Sequence, residues 1–101
     1  MTAGEFRRIA LSLQGVSEAP HFERAAFRLR RIFASLSPDG LSANLKLRPE
    51  EQAFFVDMAP DAFSPVPNRW GARGWTRVLL ASVGSEDLQA ALTAAWKGDQ
   101  A

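Results

Sequence analysis

The 101-residue chain contains no cysteine and only one histidine. The first absence excludes disulfides, thiolate metal sites and a cysteine nucleophile. A metal site at His21 would need carboxylates in an arrangement that the sequence does not show, so a structural or surface role for this histidine is the simpler interpretation. The sequence therefore predicts no metal and no cofactor.

Long apolar runs are also absent. The N-terminal segment, residues 1–15, carries Glu5, Arg7 and Arg8 and lacks a signal-peptide pattern. Hydrophobic residues nevertheless make up 47% of the chain, which is typical of a folded domain with its own core. We expect one domain, residues 1–101, that is soluble and cytoplasmic and has no membrane partner.

Catalytic signatures are missing too. The acid pairs Glu50-Glu51 and Glu86-Asp87 each open a predicted helix, where the helix dipole is sufficient explanation for them. The Gly71-to-Gly74 spacing lacks the lysine and the following helix of a phosphate loop. We therefore predict no catalytic residues and no enzymatic activity.

What the sequence does contain is an uneven distribution of charge. The net charge is only +1. Residues 24–48, however, hold six arginines and lysines and a single acid, Asp39, so this segment carries +5 and the remainder −4. The chain is nearly neutral as a whole, but this segment is strongly basic. The charge of the segment indicates an anionic partner more clearly than the net charge of the chain does.

Three stretches show helical periodicity. Thr2 and Glu5 have the spacing of a capping box, which predicts a first helix near residues 2–14. Pro49 suits the first turn of a second helix, anchored by three apolar residues. These anchors are Phe54, Phe55 and Met58. A last helix is predicted to be capped by Ser85 and closed by Gly98.

Alternation between apolar and polar residues predicts the strands. Residues 25–30 and 31–37 form two strands around a tight turn at Arg30-Arg31, and residues 41–47 return after a type I′ turn at Asp39-Gly40. A short edge strand near Val66 and a strand from Trp75 follow the second helix. Hairpins imply an antiparallel sheet, and three amphipathic helices can cover one of its faces. The predicted fold is a two-layer α+β domain. Its core contacts would include Phe6, Ile9, Phe27, Leu45, Phe54, Val78, Leu92 and Trp96.

The other face of the sheet would be left to solvent or to a partner. Alternation turns seven apolar residues inward: Phe27, Leu29, Ile32, Leu36, Leu45, Val78 and Leu80. The opposite parity gives a basic outer face with two aromatic residues: Arg28, Arg30, Arg31, Phe33, Ser42, Asn44, Lys46, Trp75 and Arg77. Such a face suits a nucleic acid, because guanidinium groups bind phosphates and aromatic rings stack on bases. A solvated face and an interface with a protein or a second copy are the alternatives.

Residues 68–78, NRWGARGWTRV, place two indoles around a glycine-containing loop. We expect Trp70 to pack partly into the domain and Trp75 to lie nearer the surface, with Arg69 and Arg73 beside it. The alternative is that both indoles only close the open end of a small core.

The chain resembles the MmcQ/YjbR family of small bacterial proteins. The similar segments are LQGVSEAPHF, AAFRLRRIFASLSPDG, LKLRPEEQ, FSPVPNRWGARGWTRVLL and LQAALTAAWK, between about residues 5 and 97. The resemblance implies an α-β(3)-α-β(2)-α fold, similar to that of secretion chaperones and to the double-wing domain of a phage transcription factor. Members are commonly labelled DNA-binding on the basis of that fold analogy.

Together, the charge pattern and the resemblance predict weak, largely sequence-independent DNA binding. Amides near Gly71 and Gly74 would hold one further anion. The predicted contact residues are Arg28, Arg30, Arg31, Phe33, Lys46, Arg48, Arg69, Arg73, Trp75 and Arg77. The alternative is a protein- or peptide-binding or dimerising module. Any homodimer would use an edge strand or a helix, because like charges would oppose each other across the basic face.

Overall fold

The computed structural model describes residues 1–100, which form four helices and six strands. The strands are β1 (Ser17–His21), β2 (Arg24–Arg28), β3 (Ile32–Leu36), β4 (Ser42–Lys46), β5 (Phe63–Pro65) and β6 (Trp75–Leu79). The helices are α1 (Ala3–Ser12), α2 (Pro49–Met58), the one-turn α3 (Arg69–Ala72) and α4 (Ser85–Gln100). All strand pairs are antiparallel, and the sheet order is β1-β2-β3-β4-β6-β5.

The predicted α+β architecture is confirmed. Helices α1, α2 and α4 contribute residues such as Phe6, Phe55 and Leu92 to one hydrophobic core, which also takes in the inner face of the sheet. The predicted count of three strands before α2 was one short. The additional strand, β1, is exposed at all five positions and contains Pro20, so it shows neither alternation nor β-propensity and is tolerated only at the edge of a sheet.

The helix ends follow their local chemistry only in part. The capping box is confirmed: Thr2 Oγ1 accepts the Glu5 N–H at 3.1 Å, and the Glu5 carboxylate accepts the Thr2 N–H at 3.0 Å. Pro49 begins α2, but of the predicted anchors only Phe55 is buried, whereas Phe54 and Met58 are 61% and 45% exposed. Adjacent helical residues point about 100° apart, so an edge helix that contacts the domain along a single line buries one of the two phenylalanines.

The turn between β2 and β3 depends on the far end of the chain. The Asp99 carboxylate accepts the backbone N–H groups of Arg30 and Arg31 at 2.9 and 3.0 Å, and it is buried. Helix α4 therefore continues through Gly98, the predicted end, to Gln100. The next turn also differs from the prediction: only Gly40 has a positive φ, of 73°, so the turn is not type I′. Asp39 instead accepts the Ser37 hydroxyl and the Leu41 N–H, which closes a longer loop.

A β-bulge in β3 reverses two of the predicted orientations. Phe27 pairs with Ala34 and Arg28 pairs with Ile32, so Phe33 is an extra residue between them. The bulge turns Phe33 into the core, where it is 1% exposed, and moves Ile32 to the outer face. The other predicted inward orientations hold for Phe27, Leu29, Leu36, Leu45, Val78 and Leu80, all of which are in or packed against the core.

Candidate nucleic-acid interface

The face of the sheet opposite the helices, called the open face below, is organised in rows across the strands. Its central row consists of the mutually paired residues Ala19, Ala26, Ser35, Asn44, Arg77 and Ser64. Ala26 and Ser35 are small, so the middle of the face is low. Taller side chains flank it in neighbouring rows, including the pair His21 and Arg24 and the pair Lys46 and Trp75. The result is a shallow trough.

The open face is strictly basic. Its strands carry four positively charged side chains, and cross-strand pairing places no Asp or Glu among them. The four are Arg24, Arg28, Lys46 and Arg77. Glu18, on β1, has the opposite parity and pairs with Arg7 of α1 at 2.8 Å, on the helical side. Neither Arg24, Arg28 nor Arg77 forms an ion pair within residues 1–100.

Arg24 is the best-positioned of these cations, and it was not among the predicted contact residues. Its Nε donates to Ser35 Oγ at 2.8 Å, which lays the guanidinium along the floor of the trough. Burial, followed by repulsion from Arg77, lowers the pKa of Arg24, while Asp39 opposes the shift. The guanidinium remains charged at neutral pH, and it lies in the trough without a carboxylate partner. Alternation continued four residues back from Arg28 would have identified it.

Seven of the ten predicted contact residues fall into three groups. Arg28, Trp75 and Arg77 lie on the open face as predicted. Lys46 lies there too, with its ammonium donating to the Arg73 carbonyl at 2.8 Å. Arg30 and Arg31 are exposed at the β2–β3 turn, and Arg31 Nε lies 3.6 Å from Asp99. Arg48 lies past the end of β4, beside Glu50 at 3.8 Å.

Phe33 is excluded from the interface, because the bulge buries it in the core. Its aromatic contribution to the open face is replaced by the indole of Trp70. Trp70 is exposed, at 46%, and Trp75 is less exposed than that. The prediction that Trp75 would lie nearer the surface than Trp70 is therefore reversed. Arg69 and Arg73 lie against the Trp70 ring, with Cζ 5.9 and 5.1 Å from its centroid. These distances are typical of cation–π contacts.

The two glycines of this loop have a structural role. A Cβ at Gly71 would overlap the Val66 carbonyl oxygen, and a Cβ at Gly74, where φ is 107°, would overlap that of Leu47. Their amides are also occupied: the Gly71 N–H donates to Asn68 O at 3.0 Å and the Gly74 N–H to Gly71 O at 3.1 Å. The N–H groups of the two glycines are therefore not free for the anion predicted at this loop.

Helix α2 fixes the loop from the core side. Gln52 Nε2 donates to the carbonyl of Gly71 at 2.9 Å and to that of Trp75 at 3.1 Å. It also lies 3.1 Å from the hydroxyl of Thr76, which is fully buried. Asn68 caps α3 by accepting the Trp70 N–H at 2.8 Å. Hydrogen bonds with Gln52 and Asn68 thus fix the backbone on both sides of Trp70.

The trough and the loop together border an open surface depression of about 310 Å³, called the cavity below. Its lining comes from five strands and the segment that precedes β6: His21, Arg24, Ile32, Ser35, Asn44, Val66, Asn68, Trp70 and Trp75. Trp70, Trp75 and one arginine line it, and no acid does. Sequence reasoning identified Asn44 and Trp75 as outward-facing, but it missed the cavity, because the position of one wall depends on where the loop folds.

Two further classes of site receive no support from the described residues. No three His, Cys, Asp or Glu side chains of residues 1–100 come together in a group that could hold a metal ion. Among the same residues, no helix has the length and apolarity needed to cross a membrane.

Comparisons with known proteins agree with this fold. The crystal structure of the Deinococcus radiodurans protein DR2400, which has a DUF419 domain, superimposes with a TM-score of 0.78 at 23% sequence identity. The match covers 94% of this chain and 75% of that one, and at this identity it concerns the fold alone. No curated protein matches the sequence. The sequence model of the YjbR family matches residues 11–98, nearly the whole chain, and the protein therefore belongs to the YjbR family.

Proposed function

We propose that this protein is a non-enzymatic nucleic-acid-binding protein that holds phosphates on the open face of its sheet. The observation that carries the proposal is the one-sided charge of that face: Arg24, Arg28, Lys46 and Arg77 without an intervening acid. Neutralising phosphates with such side chains releases condensed counterions, which supplies sequence-independent affinity. Arg69 and Arg73, on the exposed loop, extend the same basic surface.

The shape of the surface indicates weak sequence discrimination. Reading base edges in the major groove of a duplex requires an inserted helix or a β-ribbon. The three long helices pack against the opposite face of the sheet, and the one-turn α3 is too short to enter a groove. Phosphate contact without base readout is expected to give micromolar or weaker affinity at physiological salt.

Salt dependence tests the proposal. If about four side chains contact phosphates, log affinity for duplex DNA should fall with log salt at a slope of about −3 to −4. The double change Arg28→Ala and Arg77→Ala should bring the slope closer to zero by up to about 2, because each lost contact removes about 0.9. Fluorescence anisotropy at several salt concentrations measures the slope.

A control variant with the same change in net charge shows whether binding depends on the position of the charges or only on their total. Arg8→Ala with Lys97→Ala removes two exposed positive charges from α1 and α4, away from the open face. This variant should keep the parental slope. Equal loss of binding in both double variants would show that only net charge matters, and an absence of salt-dependent binding at tens of micromolar protein would refute the proposal.

One observation favours a second candidate, a protein interface at the β1–β2 hairpin. Phe22 at its tip is 91% exposed and has a φ of 57°, a conformation that costs a bulky residue about 1 kcal/mol or more. An exposed aromatic side chain on a strained backbone is typical of a contact residue.

Self-association tests this second candidate. Light scattering at tens of micromolar protein should give a mass above the 11.1 kDa of the monomer, and Phe22→Asn should return it to the monomer mass. Asn tolerates positive φ, so this variant keeps the turn while removing the apolar surface. A parent protein that is monomeric throughout the concentration range would argue against a homodimer at the hairpin.

A further inference from the structure

The cavity on the open face has the features of a pocket for one planar ring. Its volume of about 310 Å³ is at the lower end of the range of about 300–1,000 Å³ typical of small-ligand sites. The indoles of Trp70 and Trp75 form part of its wall, and the short Ser35 side chain keeps the floor low. Stacking of a base on an aromatic ring is tolerant of sequence, since every base presents a π-face.

Polar groups of the cavity are available to a ligand. The Asn44 amide and the Trp75 indole N–H have no hydrogen-bond partner among residues 1–100. Every fully buried side-chain nitrogen or oxygen atom of the partly or fully buried residues does have one, so these two groups are exposed to solvent, and both residues line the cavity. Asn44 offers a donor and an acceptor, which matches the edge of a nucleobase. Arg24 lines the cavity and Arg77 pairs with Asn44 across the sheet, so both supply positive charge beside it, and no carboxylate lines the cavity.

We propose that this cavity receives a single unstacked base of a single-stranded nucleic acid, with the adjoining phosphates on Arg24 and Arg77. This inference rests on the proposed function and makes it more specific. In a duplex the bases are stacked and paired, so entry would require extrusion at a cost of a few kcal/mol. In a single strand the bases are free to turn outward and stack on aromatic side chains. The protein should therefore prefer single strands.

The experiment compares probes that differ only in their bases. Dye-labelled dT12, a 12-unit abasic strand with the same phosphates, a duplex of the same length and free thymidine monophosphate are titrated at one salt concentration. The dT12 strand should bind about tenfold more tightly than the abasic strand, because one stacked base contributes a factor of this order. It should also bind more tightly than the duplex and than the free nucleotide.

Variants assign the preference to the cavity. Trp70→Ala should reduce the difference between dT12 and the abasic strand to less than about threefold, whereas Arg28→Ala should weaken both strands alike. Phe54→Ala is the matched control, since it also removes an exposed aromatic ring, on α2, and should change nothing. Asn44→Leu is a second cavity variant of similar size, and it keeps the test decisive if Trp70→Ala loses its fold by circular dichroism.

The possible failures are distinguishable. Equal, salt-dependent binding of dT12 and the abasic strand would overturn base insertion and leave the proposed function intact. An absence of binding to every probe would refute the proposed function itself. Thymidine monophosphate binding as tightly as dT12 would identify a free nucleotide as the ligand and overturn the assignment to a strand.

Discussion

Gly74→Ala is expected to lower the free energy of unfolding by about 3 kcal/mol, the largest loss expected from adding a methyl group at any of the glycines. Alanine at a φ of 107° costs about 1–3 kcal/mol, and its Cβ would overlap the Leu47 carbonyl oxygen, so the backbone must also shift. For a domain of about 100 residues the melting temperature should fall by roughly 12 °C or more. Thermal unfolding followed by circular dichroism measures it.

Gly98→Ala is the matched control, because the same methyl group is added in the last turn of α4, where no atom of residues 1–100 outside the local helix backbone lies within 4 Å of the new Cβ. Alanine is favoured over glycine in a helix by about 0.5–1 kcal/mol, so this variant should be as stable as the parent or slightly more stable. Equal melting temperatures for the two variants would show that the contact with Leu47 does not constrain the loop.

Asp99→Ala should cost about 2–4 kcal/mol. The substitution removes the charged acceptor of two backbone N–H groups, those of Arg30 and Arg31, and hydrogen bonds to charged groups contribute about 1.5–3 kcal/mol each. The expected loss is below the sum of the two, because the turn is exposed and water can replace part of these bonds. Asp99→Asn keeps one acceptor oxygen and should lose less. Urea denaturation at neutral pH gives the free energies.

Asp57→Ala is the control for Asp99→Ala. Asp57 also lies in the last turn of a helix, α2, but it is exposed. Removing a negative charge from a helix C-terminus relieves an unfavourable interaction with the dipole, so its loss should be neutral or slightly stabilising. If the two variants change the free energy of unfolding by the same amount, the hydrogen bonds between Asp99 of α4 and the β2–β3 turn contribute no stability.

Alternation predicted most of the sheet, and it failed where a single extra residue changed its phase. The inward positions of Leu45 and Val78 are correct because β4 and β6 pair without interruption, and that of Phe27 is correct because the extra residue lies in its partner strand, β3. Ile32 and Phe33 were exchanged because a bulge depends on how two strands pair, which the composition of one strand does not reveal. Helical spacing likewise located α2 but not its buried side, since Phe54 and Phe55 are equally apolar.

The positive charge of the candidate site could be predicted from the sequence, but the shape of its cavity could not. Arg28, Lys46 and Arg77 follow from strand parity alone, and Arg24 follows from the same rule. The exposure of Trp70 does not, because burying an indole is the more favourable expectation for an isolated sequence. One feature of the sequence could have indicated the role of Asp99. The helix dipole disfavours an acid at a helix C-terminus, so an acid there is expected to make a compensating contact.

In the loop that carries Trp70, the residues that fix the backbone are different from the residues whose side chains are exposed. Gly71 and Gly74 are buried and fix the backbone against Val66 and Leu47, whereas residues 69, 70, 72 and 73 are exposed. Its displayed side chains can therefore be exchanged without altering the backbone that supports them, much as antibody loops vary on a constant framework. For a protein engineer, those four positions are therefore the natural ones to randomise.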